Sequence, residues 1–564
     1  MSYWNQWVCV FVAFWSLTLP AQELEFVWAE RSAGSGDAWV EATDTDSEGR
    51  ITVAGYFSGT EAFYDENIPV YLFGQGAYDG FLVSYDVDGT YRWHLGIQGS
   101  GDIRIRDMIV DSNDDILVCG EFQGTADFAH DRPDGEVTAT GMFDAFLAKY
   151  SSTGSLIWAK ALHASDGIST AFSIDETADG DIVLAGRFMG QVDMDPGAGE
   201  DIKESIGGTD IFFSRFSSDG LSRWSKIIGG GQTDEATNVL VTPEGDILLS
   251  GHFTQWADFA PGADIQGLVS EGGQDVFLAR YDEQGDFISV TGFGGAATDK
   301  VHDMSIDATG LTILCGQFMD EVEFVEGVSS ISNGAEDGFV LCVDENGQSR
   351  WVRTFGDAWT DRAQSLITLE DGRLFCAGMF WGTVDMDPGA GSVLLQSQDV
   401  MDLFIMELDG QGELGQTRIL AGASTQYYPY LTSGEQGDIR LAATFTGDCD
   451  MDPGDGMDIQ LANGYDMMLI GLEQVGPVLS LADRIGPMAG ITVFPNPNDG
   501  RFRLMTEATP VMVDLYDLHG RILESVLPMG GDEVSLTGTY APGNYLLHIH
   551  NVDGSIATER IVLR

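Results

Sequence analysis

The segment Ile182-Val183-Leu184-Ala185-Gly186-Arg187-Phe188 is an apolar run that ends in a glycine and a phenylalanine, and the chain repeats this ending seven times. The copies lie 62 to 66 residues apart. A fixed period of this size in a strand-rich sequence indicates an array or a ring of similar units. The seven anchor segments are Gly55-Tyr56-Phe57, Gly120-Glu121-Phe122, Gly186-Arg187-Phe188, Gly251-His252-Phe253, Gly316-Gln317-Phe318, Gly378-Met379-Phe380 and the degenerate Ala443-Thr444-Phe445.

Each repeat divides into four alternating or apolar segments separated by turn signals. In the third repeat these segments are 171–175, 182–188, 210–216 and 221–226, with Asp179-Gly180 and Asp219-Gly220 as tight turns. Glycine permits the positive φ that such turns need. Four strands per unit is the pattern of a propeller blade. We therefore predict an all-β fold, a seven-bladed β-propeller with four-stranded blades.

Tryptophan positions predict how the ring closes. Trp93, Trp158, Trp224 and Trp351 occupy one position in the last strand of their repeats. Trp28 precedes Trp93 by 65 residues but has no repeat of its own in front of it. Residues 24–29 are therefore predicted to supply the outer strand of the seventh blade, which removes the exposed sheet edges that favour aggregation.

The repeat resembles a known bacterial family. The pattern Gly-Gly-x-x-Thr-Asp, which ends at Asp234 and again at Asp299, is followed by an alternating strand, a turn and Ile-x-x-x-Gly-x-Phe. This combination is similar to the SBBP-type β-propeller repeat, and the resemblance covers about residues 25 to 480. It implies a seven-bladed propeller outside the cell and implies no reaction.

The charge balance excludes one class of partner. The 564 residues include 27 basic and 89 acidic side chains, for a net charge of −62. Such a chain repels phosphate backbones, and no basic stripe interleaved with aromatic residues occurs, so we expect no nucleic-acid partner. Self-repulsion of this size is tolerable where salt or bound cations screen it.

The two ends of the chain predict its processing. Residues 1–21 form a short apolar run typical of a secretory signal peptide, and no later segment is apolar enough to span a membrane. We predict a propeller over 22–475, a linker over 476–490 and a separate domain over 491–564. Five cysteines follow residue 21, an odd number scattered over different repeats, which favours buried thiols over disulfides.

Three acidic segments are candidate calcium loops. Each contains Asp-Met-Asp-Pro-Gly, in which two carboxylates at i and i+2 project to the same side of an extended chain. Hard oxygen ligands of this kind suit calcium, although the third Asp and distal Glu of an EF-hand are missing. The alternative is that the methionine plugs the blade edge while the aspartates cap the turn. The candidate ligands are Asp193, Asp195, Asp385, Asp387, Asp450 and Asp452.

The C-terminal region carries three motifs of a second family. They are Phe494-Pro495-Asn496-Pro497, Tyr516-Asp517-Leu518-His519-Gly520 and Gly543-Asn544-Tyr545. In this order and at this terminal position they resemble the type A sorting domain of the type IX secretion system, expected to be a small β-sandwich. The resemblance implies that the secretion machinery is a partner, with sorting residues Pro495, Asn496, Pro497, Tyr516, Asp517, Gly520, Gly543 and Tyr545. It also implies a product at the cell surface or outside the cell.

Function is expected on the face that carries the long loops. The inter-blade loops bring Asp37, Asp102, Asp234, Asp299 and Asp361 to that face, while the other face has only tight turns. We find no serine nucleophile elbow, phosphate-binding loop or zinc motif. The favoured hypothesis is a non-catalytic propeller that binds a surface glycan or protein, with calcium as a candidate cofactor. The alternatives are an exported polysaccharide-active hydrolase or lyase and a structural surface-layer component.

Overall fold

A computed structural model describes residues 23–65, 68–129, 135–262, 264–325, 328–387, 391–398, 400–434, 437–454, 456–475, 492–494, 501–505, 510–516, 522–526, 533–536, 543–551 and 556–563. In these residues the regular elements are β-strands, paired antiparallel, with no α-helix. The all-β prediction is confirmed. The chain divides into two compact units, one formed by Glu25–Glu473 and one that contains Gln474–Arg564. The predicted signal peptide lies outside the described residues.

The first half of the larger unit contains an N-terminal pair of strands and three repeats. The N-terminal strands are β1 (Glu23–Arg31) and β2 (Ala33–Gly34). Repeat 1 contains β3 (Ala38–Thr45), β4 (Ile51–Phe57), β5 (Thr60–Asp65), β6 (Ile68–Phe73), β7 (Asp79–Tyr85) and β8 (Tyr91–Gly99). Repeat 2 contains β9 (Ile103–Val110), β10 (Ile116–Phe122), β11 (Thr125–Asp127), β12 (Glu136–Thr138), β13 (Asp144–Tyr150) and β14 (Leu156–Ala164). Repeat 3 contains β15 (Ile168–Glu176), β16 (Ile182–Met189), β17 (Gln191–Asp193), β18 (Ile202–Glu204), β19 (Asp210–Phe216) and β20 (Ser222–Gly230).

Four further repeats complete this unit. Repeat 4 contains β21 (Glu235–Val241), β22 (Ile247–Asp258), β23 (Gly267–Tyr281) and β24 (Phe287–Phe293). Repeat 5 contains β25 (Lys300–Ile306), β26 (Thr312–Phe318), β27 (Glu321–Val325), β28 (Val328–Ile331), β29 (Asp337–Val343) and β30 (Ser349–Phe355). Repeat 6 contains β31 (Arg362–Thr368), β32 (Leu374–Phe380), β33 (Thr383–Asp385), β34 (Leu394–Gln396), β35 (Asp402–Leu408) and β36 (Leu414–Leu420). Repeat 7 contains β37 (Gln426–Ser433), β38 (Ile439–Asp450) and β39 (Ile459–Val475).

Every repeat has the same antiparallel core of four strands. In repeat 1 the order is β3-β4-β7-β8, and the remaining repeats follow it. The connection between the second and third core strands forms a small hairpin, such as β5–β6 in repeat 1 or β17–β18 in repeat 3. In repeats 4 and 7 the second and third strands are long, and their ends form this hairpin. These connections were expected to be loops, and each instead contains a small hairpin of two strands.

The missing fourth strand of repeat 7 comes from the N-terminus, because β1 pairs with β39. Trp28 on β1 packs against Gly89 in a turn of repeat 1, where an added Cβ would lie 2.7 Å from the indole ring. Gly154 of repeat 2 packs in the same way on Trp93 of repeat 1. The positive φ of these turn glycines and the lack of a side chain let the turn lie flat on the indole.

The first strands of neighbouring repeats are joined by side-chain hydrogen bonds. The Asp44 carboxylate accepts the N–H of Val110 at 2.8 Å, and Asp303 accepts that of Leu366 at 2.8 Å. Repeats 1 and 7 are joined too, since the Thr45 hydroxyl donates to the Ser433 carbonyl at 2.7 Å. One cavity of about 330 Å³ is lined by the first strands β3, β9, β15, β21, β25, β31 and β37.

The core lies within and between adjacent repeats. The anchor phenylalanines are fully or almost fully buried, and one cluster combines Leu82 and Ile97 of repeat 1 with Phe122 and Phe146 of repeat 2. Each large aromatic side chain removes on the order of 150–250 Å² from water. The five cysteines after residue 21 are buried free thiols, as the sequence predicts: Cys119, Cys315, Cys342, Cys376 and Cys449.

The C-terminal unit contains two antiparallel sheets. One has the order β40-β41-β44 and comprises β40 (Thr492–Phe494), β41 (Arg501–Met505) and β44 (Glu533–Ser535). The other has the order β43-β42-β45-β46 and comprises β42 (Pro510–Tyr516), β43 (Ile522–Val526), β45 (Gly543–Asn551) and β46 (Ile556–Leu563). Val534 of the first sheet shares a core with Val513, Leu515, Leu547 and Ile549 of the second.

The predicted sorting residues fall on both sides of the described boundary. Tyr516 ends β42, Gly543 begins β45, and Tyr545 packs against the core of this unit. Pro495, Asn496, Pro497, Asp517 and Gly520 lie outside the described residues.

Candidate functional site

Antiparallel pairing gives each repeat two distinct edges. The start of the first strand, the end of the second, the start of the third and the end of the fourth lie at one edge. We name this the long-loop edge, because it carries the hairpins and the connections between repeats. The opposite edge has tight turns such as 46–50, in which the Asp46 carboxylate accepts the N–H groups of Glu48 and Arg50. These Asp-containing turns are structural.

The first aspartate of each candidate calcium loop holds the loop together. One carboxylate oxygen of Asp193 accepts the N–H of Asp195 at 3.1 Å and that of Asp201 at 2.8 Å. Asp385 does the same for Asp387 and Val393, at 3.1 and 2.8 Å. Asp450 accepts from Asp452 and Asp458, at 3.2 and 2.8 Å. In repeat 4, Asp258 keeps this arrangement although the second aspartate is absent.

The second aspartate of these loops binds the turn that follows it. Asp195 accepts the Gly197 N–H and Asp452 accepts the Gly454 N–H, both at 2.8 Å. The methionine between the two aspartates is fully buried in all three loops: Met194, Met386 and Met451. In the described part of the chain, no group of three or more His, Cys, Asp or Glu side chains is placed to hold a metal. Calcium at Asp193, Asp195, Asp385, Asp387, Asp450 and Asp452 stays a prediction.

The aspartates that the sequence places on the long-loop face differ in exposure. Asp37 and Asp102 are partly exposed, whereas Asp234, Asp299 and Asp361 are fully buried. Each buried aspartate accepts two backbone N–H groups, as Asp299 does from Gly295 at 2.9 Å and Met319 at 3.0 Å. Backbone hydrogen bonds of this kind compensate for the loss of hydration, so these three residues are not exposed ligands.

The residues that follow the anchor glycines are mostly buried between repeats. Glu121 is the clearest case, because its carboxylate binds Arg106 at 2.7 Å and accepts the Thr170 hydroxyl of the next repeat at 2.7 Å. Burial alone would raise the pKa of Glu121, but the Arg106 guanidinium outweighs it and holds the pKa below its usual value. In repeat 4, His252 lies 3.2 Å from Glu235. This variable position therefore serves packing and ion pairing near the shared cavity.

Stacked aromatic side chains occupy the long-loop edge, a feature that was not predicted from the sequence. Trp39 at the start of repeat 1 stacks on Tyr465 of repeat 7, with ring centroids 4.3 Å apart and planes inclined by 28°. Tyr427 of repeat 7 contacts both rings, at 5.7 and 5.6 Å. Trp359 and Trp381 of repeat 6 stack at 4.3 Å, and Trp359 is 49% exposed.

A cation adjoins a further aromatic pair at this edge. The Arg104 guanidinium lies over the rings of Tyr78 at 4.9 Å and Tyr56 at 5.5 Å. All three side chains are partly exposed, and Arg104 also lies 3.4 Å from Asp102. Flat apolar ring faces beside charged hydrogen-bonding groups can hold a ring-shaped polar ligand such as a sugar. The occurrence of aromatic residues at the starts and ends of strands is the sequence signal that could have predicted these aromatic side chains at the long-loop edge.

The buried carboxyl group of Glu61 contributes to the pH dependence of the stability of this unit. Glu61 is fully buried, and burial together with the carboxylates of Asp466 and Asp37 raises its pKa to about 8. A raised carboxyl pKa stabilises the fold at low pH, and this contribution disappears as pH rises from about 4.5 to about 8. We expect this group alone to lower the free energy of unfolding by on the order of 5 kcal/mol over that range.

Chemical denaturation between pH 5 and pH 8.5 measures this effect. Glu61→Gln should reduce the pH dependence, whereas Glu48→Gln at an exposed turn should keep the wild-type profile. Burial also raises the pKa of other carboxyl groups, including Glu41, Asp107 and Asp361, each to about 7, so part of the slope should remain in Glu61→Gln. Identical profiles for Glu61→Gln and the wild type would show that the Glu61 carboxyl does not titrate in this way.

Comparisons with known proteins identify the C-terminal segment. Residues 492–564 match the secretion system C-terminal sorting domain family. This match indicates export by type IX secretion to the cell surface or the extracellular space, and interaction with the secretion machinery. No helix within the described ranges has the length and apolarity needed to cross a membrane.

Similarity elsewhere in the chain is distant. The regulatory protein FlaEY of Caulobacter vibrioides is 27% identical over 180 residues, and an uncharacterized WD repeat-containing protein of Acanthamoeba polyphaga mimivirus is 24% identical over 247. These matches cover 31% and 37% of this chain, but only 18% and 17% of the two relatives. The chain thus spans less than a fifth of the length of either curated relative.

Solved structures also resemble the chain at low identity. A protein of unknown function from Dyadobacter fermentans matches with a TM-score of 0.35 and 10% identity, covering 79% of this chain and 99% of its own. A polysaccharide lyase, the PL25 ulvan lyase bound to a saccharide, matches with a TM-score of 0.38 and 12% identity, covering 82% of this chain and 98% of its own. Scores at this level assign no function.

Proposed function

We propose that residues 25–473 close into a seven-bladed β-propeller that is exported by type IX secretion and binds a glycan at its long-loop edge without catalysis. Closure is supported by the pairing of β1 with β39 and by the Thr45–Ser433 hydrogen bond between repeats 1 and 7. The cavity lined by all the first strands supports it as well. In a closed ring the long-loop edges of the repeats face the same side.

The observation that carries the binding proposal is the aromatic cluster formed by Trp39, Tyr427 and Tyr465. It combines side chains from the first and last repeats, so closure of the ring creates it. Tyr and Trp provide large contact areas at a low cost in side-chain entropy, because few torsion angles must be fixed. The Trp359–Trp381 pair and the Arg104 group add further flat contacts at the same edge.

The acidic side chains of this edge act mainly in structure. The buried aspartates hold backbone N–H groups, and the Asp-Met-Asp-Pro-Gly loops hold their own turns. We therefore favour binding through stacking over hydrolysis by a carboxylate pair. Calcium at those loops is retained as a proposal, because each loop offers two half-buried carboxylates.

A glycan array tests this proposal. The mature full-length protein, labelled at an amine, should bind a restricted set of polysaccharides or oligosaccharides, with and without calcium. Incubation with the same glycans should release no reducing ends and no unsaturated products. Product release would instead show an exported polysaccharide-active enzyme. Absence of binding to every glycan would favour a protein ligand or a structural role in the surface layer.

A further inference from the structure

A buried aspartate begins the third core strand of every repeat. Its carboxylate accepts N–H groups from the residues just before the strand, as Asp275 does from Glu271 at 2.8 Å and Asp337 does from Asn333 at 3.0 Å. Such bonds fix the end of the preceding hairpin, because a buried carboxylate is costly unless it is hydrogen-bonded. The seven residues are Asp79, Asp144, Asp210, Asp275, Asp337, Asp402 and Asp466.

In three repeats this carboxylate also binds the end of the fourth strand. The Oδ1 atom of Asp79 accepts the Gly99 N–H at 3.0 Å, and that of Asp144 accepts the Ala164 N–H at 3.0 Å. Asp402 accepts the Gly422 N–H at 3.3 Å. Both oxygens of these aspartates therefore have donors.

Three consecutive junctions between repeats are built differently. Here a second aspartate accepts the N–H group at the end of the fourth strand. This aspartate lies just before the first strand of the next repeat, beside the anchor phenylalanine of that repeat. Asp234 accepts from Gly230 at 2.7 Å, Asp299 from Gly295 at 2.9 Å, and Asp361 from Asp357 at 2.8 Å. The corresponding residues of the other repeats carry no carboxylate: Ala38, Ile103, Ser169 and Gln426.

Because the second aspartate accepts this N–H group, one oxygen of the first aspartate is left without a hydrogen-bond donor. The Oδ1 atoms of Asp210, Asp275 and Asp337 are buried and have no hydrogen-bond partner. These three side chains are at most 4% exposed, and the second aspartates are fully buried. Asp466 also has such an oxygen, but Ala38 stands opposite the anchor phenylalanine there, and the nearby carboxylate is that of Asp37, which accepts the Tyr465 N–H at 3.3 Å.

A glycine packs against the first aspartate of each junction, and in one junction the two carboxylates border the same small space. A Cβ added to Gly229 would lie 2.5 Å from Asp210 Oδ1 and 3.1 Å from Asp234 Oδ2. A Cβ at Gly294 would lie 2.6 Å from Asp275 Oδ1, and one at Gly356 would lie 2.5 Å from Asp337 Oδ1. A side chain at these positions would collide with the carboxylates, so only glycine fits beside the unpartnered oxygens.

Two ionised carboxylates in one buried site repel each other unless a positive charge lies between them. At Asp275, burial raises the pKa to about 7, and the Asp299 carboxylate adds to the shift. A hard divalent cation supplies the missing charge and takes oxygen ligands from carboxylates and backbone carbonyls. No lysine or arginine ion pair to these six carboxylates is found among the described residues.

One junction also shows a route to solvent. Asp275, Gly294 and Gly295 line a cavity of about 650 Å³ together with Glu271, Asp320 and Glu321. Its acidic walls attract cations, because like charges lining a cleft add their fields there. Asp275 therefore borders an electronegative cavity.

We propose that the junctions formed by Asp210 with Asp234, Asp275 with Asp299, and Asp337 with Asp361 each bind a divalent cation of the Ca²⁺ type. The cation joins the third strand of one repeat to the first strand of the next. These sites are separate from the Asp-Met-Asp-Pro-Gly loops and do not depend on the glycan proposal. The rival arrangement is a proton shared by each carboxyl pair.

The variant Asp210→Asn, Asp275→Asn, Asp337→Asn separates these arrangements. Each asparagine keeps a carbonyl oxygen for the preceding N–H group, and its NH₂ group occupies the place of the unpartnered oxygen. That NH₂ can donate to the second aspartate, so the variant should fold without a cation. The matched control is Asp193→Asn, Asp385→Asn, Asp450→Asn, which changes the same number of carboxylates in the calcium-candidate loops.

The experiment compares the mature full-length proteins after removal of metals with a chelator. For the wild type, Ca²⁺ should raise the Tm by several degrees. Equilibrium dialysis should show that the wild type binds about three equivalents of Ca²⁺ at the junctions, in addition to any that the loop variant loses. The junction variant should lose those equivalents and most of the Tm rise, while the loop variant keeps both.

Two outcomes would overturn the proposal. In the first, Ca²⁺ leaves the wild-type Tm unchanged and no metal is retained, which would favour the shared proton. In the second, the junction variant binds as much Ca²⁺ as the wild type. If the triple variant fails to fold, the single variant Asp275→Asn decides between the same outcomes, because it should bind one equivalent of Ca²⁺ fewer than the wild type.

Discussion

Removing residues 491–564 is expected to leave the protein in the periplasm. The segment 492–564 is the part of the chain that matches a secretion-system sorting domain, and sorting domains of this kind are read by the export machinery. The compact unit Glu25–Glu473 does not need it to complete its sheets, because β1 and β39 both lie outside the deleted segment. Fractionation with an antibody against the repeats should find the shortened protein inside the outer membrane and none at the surface or in the medium.

Controls separate export from folding in this experiment. The shortened protein should give the circular dichroism of a β-sheet protein and the same Tm for the repeat unit as the full-length protein. A matched chain in which Met512, an exposed residue of β42, is replaced by Gln should be exported as the wild type is. Surface exposure of the shortened protein in wild-type amounts would contradict the assignment of the sorting role to this segment.

Replacing Trp39 or Tyr465 with alanine is expected to remove most of the glycan affinity. The two rings stack at 4.3 Å and are held in place by Tyr427, so each truncation removes one contact surface and leaves the other without support. Truncation of a central aromatic residue in a binding site costs on the order of 2 kcal/mol or more, which corresponds to roughly thirtyfold in Kd. Titration of the best array ligand measures the change.

The control for this prediction is an exposed apolar residue of the opposite edge. Leu221 is 55% exposed at the end of the tight turn 217–221, so Leu221→Ala should leave the affinity unchanged. Both variants should keep the wild-type Tm within a few degrees, which excludes unfolding as the cause. Equal affinity of Trp39→Ala, Tyr465→Ala and the wild type would place the binding site elsewhere.

The strand pattern could be predicted from the sequence because it repeats. The Gly-x-Phe anchors mark the second core strand, and the register of Trp28 with Trp93 predicts that an N-terminal strand joins the last repeat. The small hairpins within the long connections were not predicted from the sequence. Strands such as β17 and β18 have three residues each, too few to show an alternating pattern.

The burial of the acidic residues was the main feature that could not be predicted from the sequence. Asp234, Asp299 and Asp361 were expected at the binding face, but the structure buries them against backbone N–H groups. A sequence shows which residues carry charge, whereas burial depends on donors that only the folded loops bring into place. The stacked aromatics were missed for a similar reason, since Trp39 and Tyr465 are more than 400 residues apart.

Distances between spin labels would test the central claim, closure of the seven repeats into a ring, most directly. Cysteines for labelling replace Glu48, Asn113, Glu244 and Asp438, which lie in or beside tight turns of repeats 1, 2, 4 and 7, and the native thiols are buried. The account predicts that the distance between residues 48 and 438 is similar to that between 48 and 113, and shorter than that between 48 and 244. An open array would make the distance between 48 and 438 the longest of the three and would contradict the account.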